Sequence, residues 1–166
     1  MAAKKAKVQK KKPAKKTTTK PKKQASASPK RTEFDKAWKD YNSARCKNIF
    51  FRNHKGDRHY LVILEHLRQL NIRDLEKRLK QGKLTFASDK RLKRYLGLEP
   101  GSVSPFGLIN DKENHVHLFI DEKLNEADRL AFHPNLNTAS LVISKSDLLK
   151  FLNFTGNTYE FIRLYD

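Results

Sequence analysis

The chain has 166 residues and sets 36 Lys and Arg against 18 Asp and Glu, a formal net charge of +18. That length holds one domain with a core, and that charge points to a polyanionic partner. A single cysteine, Cys46, excludes an internal disulfide framework. No apolar run approaches the ~18 residues of a membrane span, and no apolar stretch marks a secretory signal, so a cytoplasmic protein without a membrane partner is expected.

The charge is unevenly spread. Residues 1–31 hold twelve Lys, one Arg and no acid, a local +13, while residues 32–166 carry 23 basic and 18 acidic side chains. The first segment has no aromatic residue and too little apolar surface to offset its ordering entropy, so a disordered Lys-rich tail is expected there, followed by one domain over 32–166. Such a tail suits tethering to tRNA or rRNA through counterion release. A solubilising tail, a nuclear-import signal or a docking arm fits the same composition.

Phe34, Ala37, Trp38 and Tyr41 recur at helical spacing and predict a short helix. Lys47 to Phe51 reads as a strand, His54–Asp57 as a turn, and Arg58 to Leu64 as the hairpin partner. Ile72, Leu75 and Leu79 predict a helix ending before Gly82, and Leu84 to Ala87 a short strand. Ser88 and Gly97 bracket a helix that turns Leu92, Tyr95 and Leu96 inwards.

After a loop over Gly101–Gly107, strands are expected at His115–Ile120, Leu130–Phe132 and Ala139–Ile143. Ser144 and Asp147 have capping-box spacing before a helix carrying Leu148, Leu149, Phe151 and Leu152, which stops at Gly156. Tyr159 to Leu164 suits a final strand. Strands and helices are intermixed, and several strands are joined by turns too short for a crossover. The fold class expected is therefore α+β, a single domain with a mixed, largely antiparallel sheet and flanking helices.

No GxSxG, P-loop, GxGxxG or CxxC pattern occurs. His115 and His117 share a strand face but have no third ligand at sensible spacing, so no metal and no cofactor are expected. Cys46 reads as a small buried thiol. Three stretches stand out. Lys47 and Asn48 open an apolar strand, where Lys47 is either an ordinary exposed lysine or a phosphate contact. Gly101-Ser102-Val103-Ser104-Pro105-Phe106-Gly107 is either a turn or a loop whose main-chain groups surround a ligand. His133-Pro134 follows a strand end, and Asn135, Asn137 and Thr138 follow it, forming either a polar Asn turn or a binding loop.

Taken together and in this order, these three stretches and the segment from Ile143-Ser144 to Gly156 resemble the YbaK/ProX family of prolyl-tRNA synthetase-associated trans-editing domains, over about residues 45–160. The resemblance is strongest to its free-standing Ala-tRNA(Pro) deacylases. It implies a YbaK-like fold and hydrolysis of the ester joining alanine to the terminal adenosine of mischarged tRNA(Pro). Water, assisted by the ribose hydroxyl, would attack the ester, with no protein nucleophile.

By the same resemblance Lys47, Gly101 and His133 are the catalytic set. Lys47 would contact phosphate or the acceptor end. Asn48, Ser102, Val103, Ser104, Pro105, Phe106, Asn137 and Thr138 would bind substrate. Implied partners are tRNA and, in addition, prolyl-tRNA synthetase or a multisynthetase complex. Family members carry further helices ahead of the Lys-Asn strand, where only Thr32 to Arg45 stands here. That departure keeps two alternatives open: a catalytically silent tRNA-binding or synthetase-associated scaffold, and a deacylase acting on Cys-tRNA(Pro).

Overall fold

Strand β1 (Ala44–Asn53) is the axis of the computed structural model, which describes residues 42–165. The helix expected over Phe34–Tyr41 and the tail before it lie outside the described residues. Residues of β1 alternate between two cores. Ala44, Cys46 and Phe50 pack on one face, and Ile49 and Phe51 on the other. A strand buried on both faces needs this doubly apolar pattern.

Asn53 accepts bonds from the backbone N–H groups of Gly56, Asp57 and Arg58, closing the hairpin to β2 (His59–Glu65). Helix α1 (Ile72–Leu79) is capped by Asn71 and ends on Lys80 in the left-handed conformation. β3 (Leu84–Phe86) returns to pair with the end of β1. Helix α2 (Asp89–Leu96) starts at Ser88, whose side chain makes no cap bond, and ends at Gly97 as expected. A 3₁₀ turn spans Pro105–Asn110, before β4 (Val116–Asp121) and a second 3₁₀ turn (Glu122–Glu126). β5 (Arg129–Phe132), β6 (Leu141–Ser144), helix α3 (Lys145–Thr155) and β7 (Tyr159–Ile162) complete the order.

The seven strands form one mixed sheet in the order β6-β5-β1-β2-β4-β7, with β3 also on β1. Mixing is as expected, but antiparallel ladders do not dominate. β1–β2, β1–β3 and β5–β6 are antiparallel, while β1–β5, β2–β4 and β4–β7 are parallel. The parallel pairs arise because α1, α2 and α3 lie in the connections, and a connection holding a helix is long enough to bring the chain back in the same direction.

Leu92 and Leu96 of α2, Leu108, and Leu148 and Leu152 of α3 fill one face. Leu75 and Leu79 of α1 cover Phe51, Tyr60, Val62 and Leu64 on the other. Ser144 caps α3 by accepting from Asp147 N–H, so the sequence-predicted helix start is real.

Candidate functional site

The site begins at a gap in the sheet. β2 runs along one edge of β1. On the opposite edge β5 pairs with Ala44 and Arg45, and β3 with Phe51 to Asn53. Between them, among the described residues, positions 46–50 have no ladder partner on that edge. Ala87 N–H bonds to Phe50 O, and the Asn48 amide donates to Val103 O at 3.0 Å. Asn48 thus fastens the Gly101–Pro105 loop over the gap.

The loop itself is built by local bonds. Ser102 N–H donates to Glu99 O at 3.1 Å, closing a turn with Pro100 and Gly101 at its centre. Gly101 has φ +89°, the position where a proline-led turn of this kind requires glycine. Ser102 Oγ donates to Glu99 O, and Ser104 Oγ accepts from Phe106 N–H, so both hydroxyls serve the loop. Ser102, Ser104 and Pro105 are buried. Gly101 is exposed, and Val103 and Phe106 are half-buried. Gly107 lets the following turn sit against α2, because a β-carbon there would stand 2.9 Å from Leu96 O.

The second wall comes from β5 and the loop after it. His133 Nδ1 bonds Ala139 O at 2.9 Å, and Asn135 takes φ +62°, the local Asn turn that a polar loop would use. That fold carries Asn137 to Gly101: its amide nitrogen lies 3.8 Å from where a Gly101 β-carbon would be. Asn137 and Thr138 are both exposed. Phe106 meets Phe132 and Phe151 edge to face, at ring separations of 5.9 and 5.3 Å. Beside this lies a cavity of about 50 Å³, lined by Cys46, Ala131, Phe132 and His133 among others. Burial pushes the Cys46 thiol up to about 12, so it is a neutral wall and not a nucleophile, as its sequence context implied.

The structure therefore brings together Asn48, Gly101, Val103, Phe106, Asn137 and His133, and turns Ser102, Ser104 and Pro105 into scaffold. Lys47 is not in this group. Neighbouring strand residues point to opposite faces, so Lys47 lies with Ile49 and Phe51, on the other side from Asn48. Its ammonium donates to Arg68 O at 2.8 Å.

His115 and His117 do not pair as ligands either. His115 bonds His59 at 2.8 Å, and His117 bonds Thr158 and Glu160. Among the described residues no cluster of three or more His, Cys, Asp or Glu could hold a metal ion. Among them too, no helix is long and apolar enough to cross a membrane.

A mixed sheet thus carries a glycine-turn loop fastened over a gap beside its central strand. A family model described as "Aminoacyl-tRNA editing domain" matches residues 32–151, and the chain belongs to that family. It is 41% identical over 118 residues to the prolyl-tRNA editing protein ProX of Acetoanaerobium sticklandii, covering 71% of this chain and 72% of that one. It is 32% identical over 118 residues to the mouse (Mus musculus) prolyl-tRNA synthetase associated domain-containing protein 1, covering 69% of each. A solved structure proposed as a trans-editing enzyme for prolyl tRNA synthetase shares the fold with a TM-score of 0.58 at 20% identity, over 80% of this chain and 78% of that one. The class is enzymatic: editing hydrolyses an aminoacyl-tRNA ester.

Proposed function

We propose that this protein hydrolyses mischarged tRNA(Pro), with the alanyl ester as its main substrate. The observation that carries the reading is the Asn48–Val103 bond, which seats the glycine-turn loop over the open edge of β1. A loop held there presents main-chain dipoles to an ester in the gap. Fixed dipoles stabilise the oxyanion that forms when water attacks the carbonyl. The ribose hydroxyl next to the ester helps to orient that water, and holding the two in place supplies much of the rate.

His133, oriented by its bond to Ala139 O, closes the far side of the hollow. Phe106 and Asn137 line the approach for the terminal adenosine. Lys47, on the opposite face of the sheet with its ammonium on Arg68 O, adds positive charge for tRNA phosphates away from the ester.

A panel of Ala-, Cys- and Pro-charged tRNA(Pro) tests this. Release of alanine well above the uncatalysed rate, with proline retained, is expected. Preferential release of cysteine would change the substrate, and release of nothing would end the reading. In that event the reading becomes a catalytically silent tRNA-binding or synthetase-associated scaffold. One observation favours it already: Lys47 faces away from the hollow.

A further inference from the structure

We propose that a basic groove between the β1–β2 turn and the turn after α1 holds the 5′-terminal phosphate of the tRNA whose ester lies at the Asn48 loop. This rests on the function proposed above and adds a second point at which that substrate is held.

The groove is a hollow of about 430 Å³. Its two walls are fixed turns. On one side Asn53 accepts from the N–H groups of Gly56, Asp57 and Arg58, which sets Lys55 and Arg58 in the wall. On the other, α1 ends at Lys80 with φ +52°, and the chain turns at Gly82, φ +76°, to reach Lys83. The Tyr60 hydroxyl donates to Gln81 Oε1 at 3.0 Å and ties the two sides together. A β-carbon on Gly82 would meet nothing within 4 Å, so the mouth is clear there.

Charge in the groove is one-sided. Lys55, Arg58, Lys80 and Lys83 line it, against a single carboxylate, Asp57. That carboxylate already accepts from the Asn53 amide at 2.6 Å. Among the described residues, Lys55, Lys80 and Lys83 take part in no salt bridge. Like charges gathered in a concave surface repel one another and focus a positive field into it. An anion in the hollow relieves that repulsion. A terminal phosphate carries close to two negative charges at neutral pH and offers three oxygens, so cations on facing walls reach it together. An internal phosphodiester carries one charge and runs along a surface.

The groove lies at a matching reach from the ester. β3 pairs with Phe51 to Asn53 on the same edge of β1 that stays open over positions 46–50. The register sets Leu84 against Asn53, so Lys83 stands one residue beyond, six residues along from Asn48 and about 20 Å away. Stacked nucleotides rise about 3.4 Å each along one strand, so that distance takes about six of them. It leads from the charged 3′ end past the unpaired nucleotides to the start of the acceptor helix, where the 5′ phosphate is. The groove lies on the Tyr60 face of the sheet and the site on the Asn48 face, with β3 as the edge between them. That edge presents exposed Thr85 and Phe86, and no acidic residue occurs from Lys83 to Ser88.

The test compares Ala-tRNA(Pro) carrying a 5′ phosphate with the same RNA ending in a 5′ hydroxyl. Both are given to the full chain and to its Lys55→Gln/Lys83→Gln double variant, in which both altered side chains are exposed. Wild type should show a KM about tenfold lower for the phosphorylated RNA, the scale of two exposed charge contacts, with kcat unchanged. The double variant should treat the two RNAs alike. The lysine-rich tail is common to every arm and cannot create the difference. Equal KM for the two RNAs in wild type overturns the assignment, and so does a double variant that keeps the preference. If wild type hydrolyses no charged tRNA, the proposed function fails by itself. The groove is then read from binding of uncharged tRNA(Pro) with and without its 5′ phosphate. Tighter binding of the phosphorylated form by wild type, lost in the double variant, supports the groove; equal binding refutes it.

Discussion

Acidification should unfold this domain through one histidine. His59 starts β2 and is fully buried. Its Nε2 lies 2.9 Å from the Arg91 guanidinium, which can only donate, so Nε2 must accept. Nδ1 then carries the proton and donates to His115 Nε2 at 2.8 Å. The Tyr95 ring packs 4.2 Å away, tilted against the imidazole.

Burial first, then the charges of His115 and Arg91, hold the His59 pKa down at about 4. In the unfolded chain it titrates near 6.5. A lowered pKa means the folded protein keeps His59 neutral while the unfolded chain takes up a proton. Its contribution is therefore fully present above pH 6.5 and is lost as pH falls from 6.5 towards 4. The loss is about 1.5 kcal/mol at pH 5.5 and about 3 kcal/mol in full. Urea unfolding of wild type and His59→Gln at pH 7.5, 5.5 and 4.5 isolates this term, because carboxylate titration is common to both. The gap between the two proteins should shrink by these amounts on acidification. A gap independent of pH would refute the argument.

Other outcomes follow from the same geometry. Gly101→Ala has room for its methyl group, with Asn137 3.8 Å off, so its cost is the backbone at φ +89°. About 1–2 kcal/mol of local strain should cut kcat/KM for the charged tRNA by roughly tenfold, with global stability changing less. Unaltered kinetics would mean the turn does not shape the site. Lys47→Ala loses a positive charge on the far face of the sheet and the bond to Arg68 O. It should raise KM for tRNA with kcat nearly unchanged; collapse of kcat alone would place the ammonium at the ester instead. Deleting residues 1–31 removes +13 of charge. The plot of log affinity for tRNA against log salt should flatten, and an unchanged slope would mean the tail does not touch RNA.

Much of this fold was written in local pattern. The strand-like run Lys47–Phe51, the His54–Asp57 turn, and the Ser144 cap and Gly156 stop all act within a few residues, and the structure has each of them. The helices α1, α2 and α3 lie where their apolar spacing placed them. Sheet pairing was less legible, because a parallel ladder depends on where a helix lands, not on the strands' own residues.

The site split along the same line. The glycine-turn loop and the His133 segment were visible as unusual backbone, but Ser102 and Ser104 turned out to satisfy their own loop, a fate set by the Glu99 carbonyl and the Phe106 amide. Lys47 and Asn48 were read as one unit, although strand alternation forbids adjacent residues from facing the same side. His59 was missed outright. Its partners Arg91 and His115 stand 32 and 56 residues away, and only a lone histidine opening an otherwise apolar strand hinted at it.

The claim on which the account turns is that the loop fastened by Asn48 holds the ester. Asn48→Asp keeps the shape but sets a carboxylate against the Val103 carbonyl, repelling the group it now binds. Single-turnover hydrolysis of Ala-tRNA(Pro) by wild type and by this variant, both checked for native folding, measures the consequence directly. A fall of about a hundredfold in the chemical step, as for a lost oxyanion-stabilising contact, is predicted. Equal rates from two folded proteins would contradict the account.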